Sequence, residues 1–367
     1  MTAPGSHQHF IEWMKAIGMT LIVIGHVFGS TEILFNSVSA PVYSKQLGVA
    51  FFVFIAGWGL ARTQTERALC AFRRLFPILF YGGCCALLMS GLTWIEKQDL
   101  AESNYLPLFF GVNVFFNFFP ANPTTWYIGM YVHLVLFWWL LMPQKPQRLF
   151  LITLLFLELI TRAVLVEYNR SFTAYMMLTN WFSVFLLGYL CRDLADRRSE
   201  IGPIKGVPIP VFLGTLALLW LAALLAWRFV SLRLAFDNSM PFRLMESSLS
   251  SLWVSLLVSV VYLANTALTF GLFRFLKAPL LVRLISRNTL LIFILHMPLI
   301  YAVAEDVRNA FVDPFAARVV LVFLVLFGLT AVSELITRLL PVAKIQVQIE
   351  KHLFSAIETE RKSARQG

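Results

Sequence analysis

The chain has 367 residues, of which 59% are apolar and only 14% are charged, and its mean hydropathy is +0.74. Soluble proteins carry about 25% charged residues, so this composition excludes a set of water-soluble domains and favours a lipid bilayer as the solvent. The 34 Phe, 10 Trp and 10 Tyr also exclude intrinsic disorder, because disordered chains are poor in aromatic residues.

Apolar segments long enough to cross a membrane recur along the whole chain. Because about 20 helical residues span the roughly 30 Å hydrocarbon core, such segments predict transmembrane helices. We predict an all-α, polytopic integral membrane protein with a membrane domain over residues 1–342 and a cytoplasmic tail over residues 343–367. Residues 106–119 are aromatic but interrupted by polar residues, and are expected to be interfacial or re-entrant. The predicted spans number about ten, over residues 11–30, 46–62, 75–94, 125–142, 148–166, 178–191, 207–228, 250–271, 289–304 and 317–337.

Lysines and arginines are distributed unevenly between the connections of these spans. More than two thirds of the 30 lie in the termini and in the connections on the same side. Because cations accumulate on the cytoplasmic side of membrane proteins, both termini are predicted to be cytoplasmic. The same distribution explains the net charge of +10 without a nucleic-acid partner. The four cysteines have no metal-ligand spacing, and no metal site is predicted.

The first span contains three ionisable residues, Glu12, Lys15 and His26. Ionisable residues inside a span are costly and indicate function. At about 100° per helical residue, Lys15 and His26 lie within about 20° of each other on one stripe, separated by roughly 16 Å along the axis. The alternative interpretation is an interfacial Glu12–Lys15 pair, with His26 hydrogen-bonded to a neighbouring helix.

The connection after the second span contains Arg62 and ends at Arg73 and Arg74, shortly before Pro77. Proline suits the first turn of a helix, so the arginine pair is expected just before the third span. Such a pair serves as a topology anchor or as a phosphate clamp, because guanidinium groups form paired hydrogen bonds with phosphate.

Two further histidines, His133 and His296, lie near the middle of their spans, and Pro298 is expected to interrupt the helix beside His296. Three intramembrane histidines raise haem ligation as a competing class. A bis-histidine site needs ligands at one depth on facing helices, and His26 is expected to lie shallower than the other two. At the outer ends of the fifth and sixth spans, an extracytoplasmic opening is predicted from Arg162, Asn180 and Trp181.

The order of these features resembles the membrane-bound acyltransferase family 3. Glu12, Lys15 and His26 keep the spacing of the family's opening motif, although the family more often has Asp and Arg. The resemblance extends from Glu12 to Pro298. The other matching elements are Phe51 to Gly57, with Ala56 in place of serine, Arg73-Arg74 with Pro77, Trp126-Tyr127, and Leu291 to Pro298.

The resemblance implies transfer of an acyl group from cytoplasmic acetyl-coenzyme A or another acyl-coenzyme A to a hydroxyl of an envelope glycan or lipid-linked sugar, in a bacterial inner membrane. A hydroxyl needs a base to become a good nucleophile, and an imidazole is suited to that task. The residues assigned to catalysis are His26, Glu12 and Lys15. Those assigned to the donor are Arg73, Arg74 and Arg62. Those assigned to the substrate are Trp126, Tyr127, Asn180, Trp181, Arg162 and His296.

The main alternative function is a transporter or flippase of an envelope precursor, which also needs a polar path through the membrane. Transporters often contain two corresponding halves, and the second half of this chain has no counterpart of Glu12, Lys15 and His26. A haem-binding electron carrier is the third possibility.

Overall fold

The computed structural model describes residues 9–29, 44–61, 66–97, 126–168, 170–197, 208–233 and 250–364. These residues form helices and no strands, which confirms the all-α prediction. A 3-10 turn (Leu178–Trp181) precedes α7, and a π-helical segment (Leu324–Gly328) joins α11 to α12. The α-helices are α1 (His9–Gly29), α2 (Lys45–Leu60), α3 (Arg67–Lys97), α4 (Trp126–Leu140), α5 (Arg148–Glu167), α6 (Ser171–Met176), α7 (Phe182–Arg197), α8 (Ile209–Arg233), α9 (Ser251–Phe273), α10 (Leu280–Ala310), α11 (Pro314–Phe323), α12 (Leu329–Leu339) and α13 (Val342–Ala364).

Helices of membrane-spanning length and composition confirm the prediction of a polytopic membrane protein. Six helical segments within the described residues are long and apolar enough to cross a bilayer, namely His9–Phe28, Arg67–Leu88, Arg148–Glu167, Ser251–Phe273, Leu280–Ala310 and Pro314–Leu339. Three shorter apolar helices accompany them, Lys45–Leu60, Trp126–Leu140 and Pro210–Leu225. The predicted number of ten spans is not confirmed. The predicted re-entrant stretch, 106–119, lies outside the described residues.

Two prolines, Pro77 expected at a helix start and Pro298 expected to interrupt a helix, lie inside continuous helices instead. α3 begins at Arg67, so the arginine pair and Pro77 belong to one continuous helix. α10 has 31 residues and continues through Pro298, so the ninth predicted span, 289–304, was too short at both ends. Proline is tolerated inside membrane helices because neighbouring groups satisfy the freed backbone carbonyl.

Glycines allow α1, α2 and α7 to pack at short distances. A Cβ atom at Gly48 of α2 would overlap the carbonyl oxygen of Gly18 in α1. Likewise, a Cβ at Gly57 of α2, or at Gly188 of α7, would overlap a backbone carbonyl of the facing helix. Small residues let membrane helices approach closely. The first contact holds α1, the helix that carries Lys15, against α2, and the other two hold α2 against α7.

Helix ends that the cation count assigns to one side meet at one end of the bundle. The Trp13 indole, near the start of α1, donates a hydrogen bond to the carbonyl of Lys277, just before α10 (3.3 Å). Arg67, at the start of α3, donates to the carbonyl of Met142, just after α4 (2.6 Å). The contacts agree with alternating helix directions, and the assignment of this end to the cytoplasm stays a prediction from the cations.

The tail forms a helix, α13, that docks on the beginning of α3. The Arg73 guanidinium donates to both carboxylate oxygens of Glu350, over 2.8 and 2.5 Å. The Gln346 amide donates to the Arg73 carbonyl (3.0 Å), and the Phe354 ring lies 5.8 Å from the Phe72 ring. The predicted tail segment is therefore helical over Val342–Ala364 and covers Arg73, one of the pair predicted to bind phosphate.

The ion pair predicts that tail docking is insensitive to pH near neutrality. Hydrogen bonds from Arg73 lower the pKa of the Glu350 carboxyl. The contact is therefore fully present above the ordinary glutamate pKa of about 4.3, and is lost only as the pH falls through the lowered value. Hydrogen exchange in α13, corrected for its intrinsic pH dependence, should be constant from about pH 5 to pH 8. In the Glu350→Gln variant the amides of α13 should exchange several-fold faster than in the wild type. The control variant Asp306→Asn, which changes an exposed acidic residue on α10, should leave that exchange rate unchanged. Equal exchange in wild type and Glu350→Gln would show that the pair does not hold the helix.

Candidate active site

α1 and α10 bring two of the predicted histidines into ring contact. The ring centroids of His26 and His296 are 5.1 Å apart, with an angle of 53° between the ring planes. His296 is completely buried, and its Nδ1 lies 2.7 Å from the carbonyl oxygen of Phe293. Nδ1 of His26 and Nε2 of His296 are also buried, and neither has a hydrogen-bond partner among the described residues. Two buried imidazole rings thus lie in contact, and each has one nitrogen without a hydrogen-bond partner in the described part of the chain.

The contact corrects the expected difference in depth, because it places the His26 ring only 5.1 Å from that of His296. Matched depth alone would suit two haem ligands, but such ligands lie on opposite sides of a porphyrin plane. Rings whose centroids are 5.1 Å apart leave no space for that plane between them. Among the described residues, no group of three or more His, Cys, Asp or Glu side chains is arranged to hold a metal ion.

A cavity of about 230 Å³ lies between α1, α2, α3, α4 and α10. Lys15 and Arg74 are its charged lining residues, and no acidic side chain lines it within the described part of the chain. Its other polar groups come from Tyr127, Tyr131 and Thr289, and its remaining walls are apolar. A cationic cavity with low-dielectric walls attracts anions strongly.

A shallower cleft of about 410 Å³ adjoins this cavity at the start of α3. It is lined by Cys70, Arg73, Arg74 and Tyr131, and it shares the last two residues with the cavity. Arg73 is half exposed in this cleft, whereas Lys15 lies inside the bundle. The three cations therefore follow one another from the surface inward, although Arg73 is held by Glu350.

Arg74 reaches into the cavity because α2 carries a glycine opposite it. A Cβ atom at Gly59 would overlap the guanidinium nitrogen of Arg74, so any larger residue would displace that group. Tyr131 and Cys70 are the polar neighbours of the guanidinium in the adjoining cleft. Sequence reasoning found Arg74 but not Gly59. The available signal was the Gly57-Trp58-Gly59 run at the end of the second span, where a small residue leaves room for a side chain of a neighbouring helix.

Aromatic side chains connect the cavity to the histidine pair. Phe293 lines the cavity, and its ring centroid lies 5.7 Å from that of His296 and 5.2 Å from that of Tyr127. Trp126 lies 6.0 Å from Tyr127. The structure thus brings together His26, His296, Lys15, Arg74, Tyr127 and Trp126 from four separate helices.

Arg162 and Asn180 also lie together, but in a different, fully buried cluster. The Arg162 guanidinium donates to Glu158 Oε1 (2.6 Å), Asn180 Oδ1 (2.6 Å) and Ser259 Oγ (2.7 Å). Glu158 also accepts from the backbone N–H of Ser183 (2.5 Å). Both charged side chains are only 1% exposed, so they do not line an opening. Sequence reasoning missed Glu158, which the i,i+4 spacing to Arg162 inside one span could have revealed.

The remaining predicted residues are distributed as follows. Trp181 is fully buried, and its ring stacks on that of Tyr262 with centroids 5.2 Å apart. Glu12 lies one turn before Lys15 on α1, with a carboxylate oxygen 3.4 Å from His9 Nδ1. Arg62 lies outside the described residues. The structure therefore leaves Arg62 untested and separates the catalytic candidates of α1 from the Glu158–Arg162 cluster.

Comparison with known proteins connects this architecture to one family. No curated protein and no solved structure matches the sequence. The acyltransferase 3 family model, described as an acyltransferase domain, matches residues 8–338, which include α1 to nearly the end of α12. The match lies within the predicted membrane domain of residues 1–342, and the resemblance noted in the sequence is confirmed. The chain is a membrane acyltransferase that belongs to the acyltransferase 3 family.

Proposed function

We propose that the protein transfers an acyl group, in the first instance acetyl, from cytoplasmic acyl-coenzyme A to a hydroxyl of an extracytoplasmic or lipid-linked glycan. The observation that carries the proposal is the succession of Arg73, Arg74 and Lys15, which leads from the surface cleft to a cavity whose Phe293 wall contacts His296. The cationic route suits an anionic donor, and the imidazole pair suits proton transfer.

On the donor side, coenzyme A presents phosphate groups to the arginines. Guanidinium groups bind phosphate through paired hydrogen bonds, and the buried ammonium of Lys15 adds a compact positive charge. Arg62, in the preceding connection, is assigned to the same donor. The apolar walls of the cavity then accept the less polar arm of the donor, so that its thioester approaches Phe293 and the histidines.

On the acceptor side, His26 acts as the base. It takes the proton from the acceptor hydroxyl as that oxygen attacks the thioester carbonyl carbon. A carbon–oxygen bond forms, the carbon–sulfur bond breaks, and the proton held by His26 passes to the departing thiolate, which leaves as free coenzyme A and regenerates the neutral imidazole. Glu12 and Lys15 complete the catalytic set, and Trp126 and Tyr127 are assigned to the acceptor and the acyl group. No metal takes part in this scheme.

A transfer assay in liposomes tests the proposal. Purified protein would be reconstituted with isotope-labelled acetyl-coenzyme A and a lipid-linked sugar extract, and both free coenzyme A and the acylated sugar would be measured by mass spectrometry. We expect the two products in equal amounts. Movement of the sugar across the bilayer without release of coenzyme A would instead favour the alternative, a transporter or flippase.

The proposed orientation in the bacterial inner membrane, with both termini in the cytoplasm, gives a labelling prediction. Lys145 and Val312 are exposed and lie in connections that the cation count assigns to opposite sides. In a background without the four native cysteines, Val312→Cys should react with an impermeant maleimide in intact spheroplasts. Lys145→Cys should react only after permeabilisation. The reverse pattern would place the cationic cleft outside the cell and remove the donor assignment.

The Gly59 contact predicts a selective loss of donor affinity. Gly59→Ala should displace the Arg74 guanidinium and weaken acyl-coenzyme A binding by about tenfold or more, since a hydrogen bond to a charged group contributes about 1.5–3 kcal/mol. Calorimetry on the purified protein measures the affinity. Gly271→Ala is the matched control, because a Cβ at Gly271 meets no atom within 4 Å. Equal affinities of the two variants would show that Arg74 does not contact the donor.

A further inference from the structure

We propose that His296 is a positioning residue, whose bare Nε2 accepts a hydrogen bond from His26 and holds that imidazole in the orientation needed for proton removal. The proposal rests on the function proposed above and adds a residue to its mechanism. It is carried by the protonation pattern of His296, its complete burial and its contact with His26.

The protonation pattern follows from the Phe293 contact. His296 Nδ1 lies 2.7 Å from the Phe293 carbonyl oxygen, and a carbonyl can only accept a hydrogen bond. Nδ1 therefore carries the proton. In a neutral imidazole the other nitrogen then has a lone pair, so His296 Nε2 is an acceptor.

That acceptor is buried with no donor in the described part of the chain. His296 has 0% exposure, and its Nε2 has no hydrogen-bond partner. An unsatisfied buried acceptor costs about 1–3 kcal/mol, which indicates that a donor reaches it at some stage of the reaction. The hydrogen bond to the Phe293 carbonyl fixes the orientation of the His296 ring. A donor must therefore move to His296 Nε2, because the ring cannot turn toward the donor.

His26 is the neighbour with the required chemistry. Its ring centroid lies 5.1 Å from that of His296, a separation at which two imidazoles turned nitrogen to nitrogen come within hydrogen-bond distance. Its own Nδ1 is buried and without a partner. Turning the His26 imidazole toward His296 joins the two unpaired nitrogens, with His26 Nδ1–H as donor and His296 Nε2 as acceptor.

This hydrogen bond determines which nitrogen of His26 is basic. With the proton of His26 held on Nδ1, its Nε2 is free to take the acceptor hydroxyl proton. When His26 becomes an imidazolium, its Nδ1–H stays hydrogen-bonded to His296 Nε2. His296 itself stays neutral, so the pair carries a single positive charge. A third group that orients a catalytic base is a recurring arrangement in enzymes that activate hydroxyl groups.

Three substitutions at position 296 separate this role from packing. Phenylalanine keeps a ring of similar shape but removes the acceptor, asparagine places its amide near the former Nδ1, and glutamine can place a carbonyl oxygen near the former Nε2. We expect His296→Phe and His296→Asn to lose about 10- to 100-fold in kcat, as when other groups that orient a histidine are removed. The KM for acyl-coenzyme A should not change. His296→Gln should retain kcat within a few fold of wild type.

A double-mutant cycle supplies the decisive comparison. If His296 acts only through His26, His296→Phe should cause no further loss of kcat in the His26→Gln background. Losses of kcat that simply multiply, or a His296→Gln variant as impaired as His296→Phe, would overturn the proposal. An active His26→Gln protein would also contradict it, since His26 would then not be the base.

Histidine ¹⁵N spectra of the protein in nanodiscs test the contact without an activity measurement. His296 should show a protonated Nδ1 and an unprotonated Nε2, and His296→Phe should shift the His26 signals while His133→Phe leaves them unchanged. If the wild type transferred no acyl group but showed these spectra, the proposed function would fail and the histidine contact would stand. A protonated His296 Nε2 in the resting protein would overturn the positioning role whatever the activity.

Discussion

His26→Gln is expected to lower kcat for acyl transfer by about 10²–10⁴-fold, the usual contribution of a general base. Glutamine can hydrogen-bond to a neighbouring helix but cannot take a proton at neutral pH. The protein should therefore fold and insert normally. Donor affinity should also be kept, because the cations of the proposed route, Arg73, Arg74 and Lys15, are unchanged.

The measurement compares kcat, acyl-coenzyme A affinity and thermal unfolding for His26→Gln and a matched control. His133→Gln is suitable, because His133 also lies on an apolar helix, α4, but is not part of the histidine pair. We expect near-normal turnover for the control. Normal turnover by His26→Gln would remove His26 from the chemistry and leave it a structural role.

The largest effect on stability is expected at the buried Glu158–Arg162 pair. Replacing one member by leucine leaves the other charge buried and unpaired, which costs about 3–5 kcal/mol. Both side chains are 1% exposed. The Arg162→Leu variant also loses the hydrogen bonds from Arg162 to Asn180 and Ser259. Either Glu158→Leu or Arg162→Leu should therefore unfold at a markedly lower temperature, or fail to accumulate in the membrane.

The double variant and a surface pair make the stability test specific. Glu158→Leu with Arg162→Leu should recover much of the loss, because no lone charge remains. Arg308→Leu disrupts an exposed pair with Glu305 (3.4 Å) and should change the unfolding temperature little, as exposed pairs contribute about 0–1 kcal/mol. An Arg162→Leu protein of normal stability that binds the glycan acceptor poorly would instead support the substrate role assigned from the sequence.

The stripe on α1 could be predicted from the sequence because it depends only on helical periodicity. Lys15 lines the cavity and His26 lies in the histidine pair, as expected for two residues on one face of a straight helix. The contact with His296 could not be predicted in the same way. It depends on how α1 packs against α10, and no local pattern in either helix encodes the relative depth of the two.

The helix ends were harder to predict, for a physical reason. Hydropathy marks the apolar centre of a span, whereas the helix itself continues wherever backbone hydrogen bonds are satisfied. α3 therefore includes Arg73 and Arg74, and α10 includes Arg283 and Arg287. The role of Glu158 was not predicted, because Arg162 was assigned to an opening at the outer end of the fifth span, whereas its partner is a carboxylate one turn away on the same helix.

The length of α10 has a consequence for the bilayer itself. Between Arg287 and Glu305 the helix has 17 residues without a formal charge, 288–304, which is about 26 Å of helix. This is slightly less than the roughly 30 Å hydrocarbon thickness, so α10 favours an upright orientation or a locally thinned bilayer over a large tilt. His296 is the central residue of this uncharged segment, so a lipid slab aligned on the segment has its midplane at the imidazole. Lipids with longer acyl chains thicken both leaflets of the bilayer. They therefore increase the distance to the histidines equally from the two membrane surfaces.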